Sequence, residues 1–195
     1  MNMKKITFLE EKFKEIEKIS ADEILSVTKI LVSESSGEFN TLRKDFFENE
    51  DVITKIMFLA KKHESDDKIL NNIISTLGFS ATMYKINNEE IFNLFKKNIN
   101  HSSNKIKISV ARFIHKLPQF DNYDGKWDYI ISMPKIPPKK SSGLFFFHAI
   151  KKNFDKIPDE YREKIINNLN SHIEKNNLVE DTRNKYLSLI EKIQN

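Results

Sequence analysis

Apolar residues recur at three- and four-residue intervals almost from end to end of this 195-residue chain, and no stretch sustains a two-residue alternation bounded by hairpin turns. That spacing is the period of an α-helix rather than of a pleated strand, so it predicts an all-α protein with no sheet and about nine helices. Composition agrees. Four glycines exclude collagen-like and glycine-rich β architectures, and 39% apolar residues are enough for a buried core.

Start and stop signals divide the pattern. A first helix is expected over 3–19, with Ile6, Leu9, Phe13 and Ile16 on one stripe. Ser20 then N-caps a second over 21–33, with Glu23 at the capping-box position, and Ser35-Ser36-Gly37 ends it. A third is expected as one helix over 42–62. Ser65-Asp66-Asp67 opens the fourth, and Gly78 is expected as its C′ residue. Asn88-Glu89-Glu90 starts the next. Ser103 or Asn104 starts another, which Pro118 closes. A short helix is expected over 125–133 and is stopped by the run Pro134 to Pro138. Ser141-Ser142 restart the chain into Leu144-Phe145-Phe146-Phe147, whose consecutive apolar residues mean burial on most sides. Pro158-Asp159-Glu160 opens one helix more, and a last covers 181–193.

Helix starts near Asp66, Asn104, Ser142 and Glu180 are spaced by 38 residues, and the equivalent positions Ile73, Ala111, Ala149 and Leu187 are all apolar. A two-helix period of about 35–45 residues is the mark of an α-solenoid, in which each hairpin hides its apolar face against its neighbours. In period and apolar pattern the chain resembles the HEAT/armadillo class. The resemblance implies a single α-helical repeat domain over 1–195, with 1–34 as an atypical first hairpin and antiparallel repeats over 42–195; an irregular helical bundle is the alternative packing.

The net charge of +4 is unevenly spread: −2 over 1–100, +7 over 105–156 and −1 over 157–195. Lysine outnumbers arginine 28 to 4, which looks like AT-rich coding, so part of this basicity is background. Within the +7 block lie all five prolines and the only tryptophan, and there Arg112, Lys116, Tyr123, Lys126, Trp127, Lys135, Lys139 and Lys140 form the candidate partner-binding set. Cations neutralise acidic groups or phosphates, and aromatics supply contact area.

Other chemistries find little support. With no cysteine there is no disulfide, thiol catalysis or thiolate metal site. His63, His101, His115, His148 and His172 include no pair spaced for a metal on one helical face, so no metal and no cofactor is expected. His115 and His148 lie in successive repeats; one is expected as a hydrogen-bonded core residue and the other as a partly exposed one. Asp121-Asn122-Tyr123-Asp124-Gly125 places glycine fifth and Ser132 twelfth, against the sixth glycine and twelfth glutamate of a calcium loop. Pro134-Lys135-Ile136-Pro137 contains a P-x-x-P, read here as a stiff connector. Trp127-Asp128-Tyr129-Ile130-Ile131 resembles the W-D-x-x-D-like run of HEAT-like DNA-alkylation-repair glycosylases, but isoleucine stands where their catalytic acid would be.

No segment reaches the roughly 20 apolar residues of a bilayer span and no standard secretion signal is read, so a cytoplasmic location with no membrane partner is expected. Small helical-repeat chains without a catalytic constellation resemble bacterial interaction modules, among them immunity proteins that block a cognate toxin. The resemblance implies a non-enzymatic protein whose partner is another protein; the alternative is a HEAT-like nucleic-acid binder, related to those glycosylases, acting through 105–156.

Overall fold

The computed structural model describes residues 3–195. Among these residues the chain is all-helical, with eleven α-helices, four short 3₁₀ turns and no strand. The count exceeds the expected nine or so in part because a polar cap, Asn49, divides one expected helix in two. Contacts cluster into two compact units, Met1–Gln119 and Phe120–Asn195.

The first unit holds α1 (Met3–Lys14), α2 (Ala21–Ser35), α3 (Thr41–Glu48), α4 (Glu50–Lys62), α5 (Asp67–Tyr84), α6 (Glu89–Lys97) and α7 (Asn104–Phe113). Polar side chains start most of them by accepting from backbone amides that have no intrahelical partner. Ser20 accepts from the Glu23 amide at 3.3 Å, as the sequence predicts. The Glu23 carboxylate, however, pairs with Lys12 rather than closing a capping box. Asn40, Asp66 and Asn88 cap α3, α5 and α6 in the same way.

The expected single helix over 42–62 is two helices. Asn49 takes an extended backbone (φ −68°, ψ 121°), and its side-chain oxygen accepts from the amides of Asp51 at 2.9 Å and Val52 at 3.4 Å. It ends α3 and caps α4 at once.

The expected stop at Gly78 is also corrected. Gly78 lies inside α5, and a Cβ built there would stand 2.3 Å from Cδ2 of Phe113. The glycine lets α7 approach α5 closely. Lys85, in the left-handed region at φ 57°, ends the helix instead.

The helix α5 packs against α2 on one side and α7 on the other, burying Ile69, Leu70, Ile73, Ile74 and Leu77. Polar ties cross both contacts: Asn72 Nδ2 donates to Thr28 Oγ1 at 3.1 Å, and Ser109 Oγ donates to Asn71 Oδ1 at 2.8 Å. The turn between α2 and α3 is held by a buried ion pair. Arg43 donates to the Glu34 carboxylate through Nε at 3.0 Å and reaches it with Nη2 at 2.9 Å, while Nη1 donates to the Glu38 carbonyl at 2.6 Å. With three acceptor contacts the buried guanidinium is compensated, which a buried charge requires.

The helix α7 stops at Phe113, short of the expected Leu117, and continues as the 3₁₀ turns Ile114–Lys116 and Pro118–Asn122. In the second of these the first unit gives way to the second.

The second unit holds α8 (Lys126–Ser132), α9 (Lys139–Asn153), α10 (Asp159–Lys175) and α11 (Glu180–Gln194). Between α8 and α9 the proline-rich segment forms a 3₁₀ turn, Met133–Lys135, with Met133 and Ile136 buried. Pro138 then stands at the N-cap of α9, so this helix starts three residues before the expected Ser142. The segment is a packed connector rather than a free polyproline ligand. Phe146 and Phe147 are core residues, as the apolar run predicts. Phe147 stacks on Tyr186 at 4.1 Å and 15°, and Tyr186 stacks in turn on His172 at 5.4 Å and 17°. Gly143 makes room for this column, since a Cβ there would stand 2.0 Å from His172 Nδ1.

Candidate partner-binding surface

The +7 block of the sequence is divided between the units. Arg112 and Lys116 belong to the first; Tyr123, Lys126, Trp127, Lys135, Lys139 and Lys140 belong to the second.

On the first unit, Arg112 lies at the exposed end of α7 with its guanidinium 4.6 Å from the centre of the Phe79 ring and 5.2 Å from that of Phe113. Lys116 Nζ lies 5.5 Å from the Phe113 ring. Its ammonium is held below the usual lysine range, first by partial burial and then by the like charge of Arg112. Two cations thus share one aromatic support.

On the second unit, Tyr123 is half-buried beside Phe120. Lys126 is only 5% exposed, and its Nζ lies over the Trp127 ring at 5.1 Å rather than projecting into solvent. Burial pushes this ammonium down; Lys156 and Lys152 push the same way, and Asp121 and Asp155 oppose. The Trp127 ring faces Tyr161 at 6.3 Å and 30°, and Lys164 Nζ lies 5.8 Å from Tyr161. The Tyr161 hydroxyl donates to Asp128 at 2.9 Å, a bond that raises the phenol above its ordinary range. Lysine, indole, phenol and lysine therefore form one column, whose rings are already engaged by their own neighbours. Lys135, Lys139 and Lys140 are exposed around the α8–α9 connector and make no ion pair among the described residues.

The two histidines singled out by sequence divide as expected. His115 is buried and its Nδ1 donates to the Ala111 carbonyl at 3.1 Å, which fixes the tautomer because a carbonyl only accepts. His148 is exposed, edge-on to Phe147. Asp121, the first residue of the calcium-like run, pairs with Lys152 at 3.1 Å.

Two grooves were not read from the sequence. One of about 650 Å³ in the first unit crosses α2, α5 and α7, with Lys29, Lys68 and Lys105 at its rim and Asn71 and Asn72 at its base. The other, of about 410 Å³, lies in the second unit between α9 and α11, with Phe147, Phe154 and Leu189 beneath Lys151, Lys185 and Lys192. The second had a signal: Lys185 and Lys192 are seven residues apart, two turns of one helical face, as are Leu144 and Lys151.

Among the described residues no three His, Asp or Glu side chains gather as a ligand set, and no helix is long and apolar enough to cross a membrane. Comparison with known proteins finds no matching family model and no significant match among curated proteins or solved structures.

Proposed function

We propose that this chain is a non-enzymatic helical-repeat protein of the HEAT-like kind that binds another protein, in the manner of an immunity or inhibitor protein occluding a cognate toxin. One observation carries the reading: the second unit leaves Leu144, Phe154, Val179 and Leu187 exposed by 40%, 39%, 71% and 44%, and its Lys135, Lys139, Lys140 and Lys151 make no ion pair among the described residues. Exposed large apolar side chains supply the anchors, and nearby cations the polar rim, from which a protein interface is built. In the first unit the packing of α5 between α2 and α7 supports a repeat arrangement, because each inner helix there covers the next.

The mechanism is steric and electrostatic blocking, with the cations steering an acidic partner and the apolar residues anchoring it. The test is a tagged pull-down from the native host at physiological salt. The reading requires a stoichiometric protein partner that is lost when Phe154→Asp and Leu144→Asp are combined; repeated recovery of the chain alone sinks it.

A second reading has its own support in the density of exposed lysines at 135, 139, 140, 151 and 156, which suits a phosphate backbone. It requires retention on random duplex DNA or RNA at low salt that weakens steeply between about 50 and 200 mM.

A further inference from the structure

The groove between α9 and α11 has three properties that together define an occupant. The first is direction and length. Gly143 meets Tyr186 and Phe154 meets Lys192, so the two helices advance side by side in the same sense. The lining on α11 runs from Asp181 to Lys192, twelve residues whose ends stand about 16 Å apart at the helical rise of 1.5 Å per residue. That is three turns of helix, open along one side.

The second property is the base. Phe147 and Leu189 are nearly covered by their own neighbours, whereas the Phe154 ring remains 39% exposed and leaves apolar surface for something else to cover.

The third is the charge of the walls. Lys151, Lys185 and Lys192 face a single acid, Asp181, which pairs with Lys185. Lys192 Nζ lies 5.8 Å from the Phe154 ring, at the edge of the apolar strip. Lys151 makes no ion pair among the described residues.

We infer that this groove is the docking site for an acidic amphipathic helix of the partner, three turns long, whose apolar stripe covers Phe154 and whose flanking carboxylates pair with Lys151 and Lys192. This deepens the protein-binding reading above and rests on it. Apolar anchors at i, i+3, i+4 and i+7 lie along a groove between two helices, and a stripe of that width leaves acids at its borders to meet the lysines. A basic helix would face three cations across one paired acid, and a purely polar strand would leave the Phe154 ring in water.

The test uses the full chain and two labelled peptides of about 16 residues, each with leucine at the anchor positions. One carries glutamate at the flanks and the other lysine. Saturable binding of the glutamate peptide by fluorescence anisotropy is expected, with backbone amide shifts confined to α9, the 3₁₀ turn Phe154–Lys156 that follows it, and α11. Lys151→Glu with Lys192→Glu is expected to weaken it about tenfold or more, and Lys135→Glu to leave it unchanged. Circular dichroism verifies the helical content of each variant. Absence of saturable binding, equal binding of the two peptides, amide shifts elsewhere, or indifference to the double reversal each overturns the groove assignment. These outcomes leave the pull-down with Phe154→Asp and Leu144→Asp to decide protein binding by itself, so the two failures are told apart.

Discussion

At the scale of single residues, the positions with the sharpest consequences are glycines and a histidine inside helices. Alanine is the better helix former, by about 1 kcal/mol in an exposed interior. At position 78 that preference is outweighed, because the added methyl would meet the Phe113 ring, itself 2% exposed and with no open space to move into. Gly78→Ala is therefore expected to destabilise the chain by about 1–3 kcal/mol, the usual cost of overpacking, read as a lower denaturation midpoint in urea. A raised midpoint would mean that Phe113 gives way. His172 makes a second prediction. Burial, and secondarily Lys140, hold its imidazole below the ordinary 6.5. As pH falls through 6.5 the unfolded chain takes up a proton that the folded chain resists, so stability is fully present above that pH and is lost progressively below it. Asn176 Nδ2 donates to His172 Nδ1 at 3.1 Å, a bond available only to the neutral ring. Unfolding free energy measured against pH is expected to show an acid limb that His172→Gln makes shallower; an unchanged slope would exclude this group. Neither effect is legible in the sequence, where Gly78 reads as a helix terminator because the ring that requires it lies 35 residues further on.

At the scale of elements, starts marked by an isolated capping side chain were legible, and the ends of α5 and α7 were not. Ser20, Asp66 and Asn88 announce their helices because a capping side chain acts on amides two or three residues away, a purely local matter. Ends depend on what the next element demands: α5 runs past Gly78 to a left-handed Lys85, and α7 gives way to 3₁₀ turns after Phe113. The split between α3 and α4 is the instructive case. Asn49 sits between Glu48 and Glu50 in a stretch whose apolar residues keep helical spacing throughout, so the local cap is hidden by the periodicity around it. Asn49→Ala removes the acceptor for two amides and is expected to cost about 1 kcal/mol. Hydrogen exchange at the Asp51 and Val52 amides should accelerate, with exchange in the middle of α5 changed only by the global loss. Protection at Asp51 and Val52 equal to wild type would show that the cap contributes nothing. Site residues follow the same division. Lys126 reads as a surface cation, but its helix is seven residues long, too short for the pattern to say which way each side chain faces, and Trp127 meets a tyrosine 34 residues away.

At the scale of the whole molecule, the sequence shows where charge is dense but not which of those charges are available to a partner. The block over 105–156 carries 11 cations and 4 acids. Of its cations, Lys126 is buried over Trp127, Lys152 is paired with Asp121, and Arg112 and Lys116 rest on rings of the first unit. Lys135, Lys139 and Lys140 are different: exposed, close in sequence and without ion-pair partners among the described residues. Reversing all three to glutamate breaks no ion pair among the described residues and, above pH 7 where the His172 ring that feels Lys140 is neutral, should leave stability within about 0.5 kcal/mol per site. Its effect on binding separates the two functional readings. If phosphates are the target, each lost contact removes about 0.9 from the slope of log K against log salt, so the triple variant should flatten that slope by about 2 to 3 and weaken every nucleic-acid sequence alike. If the partner is an acidic protein held by the α9–α11 groove, the same variant slows association at low salt and leaves dissociation nearly unchanged, because rim charges steer encounter while buried anchors set residence. Measuring the salt slope on duplex DNA and the two rate constants on the captured partner, with one triple variant, decides between them: a dissociation rate raised as strongly as association is slowed would put these lysines inside the contact.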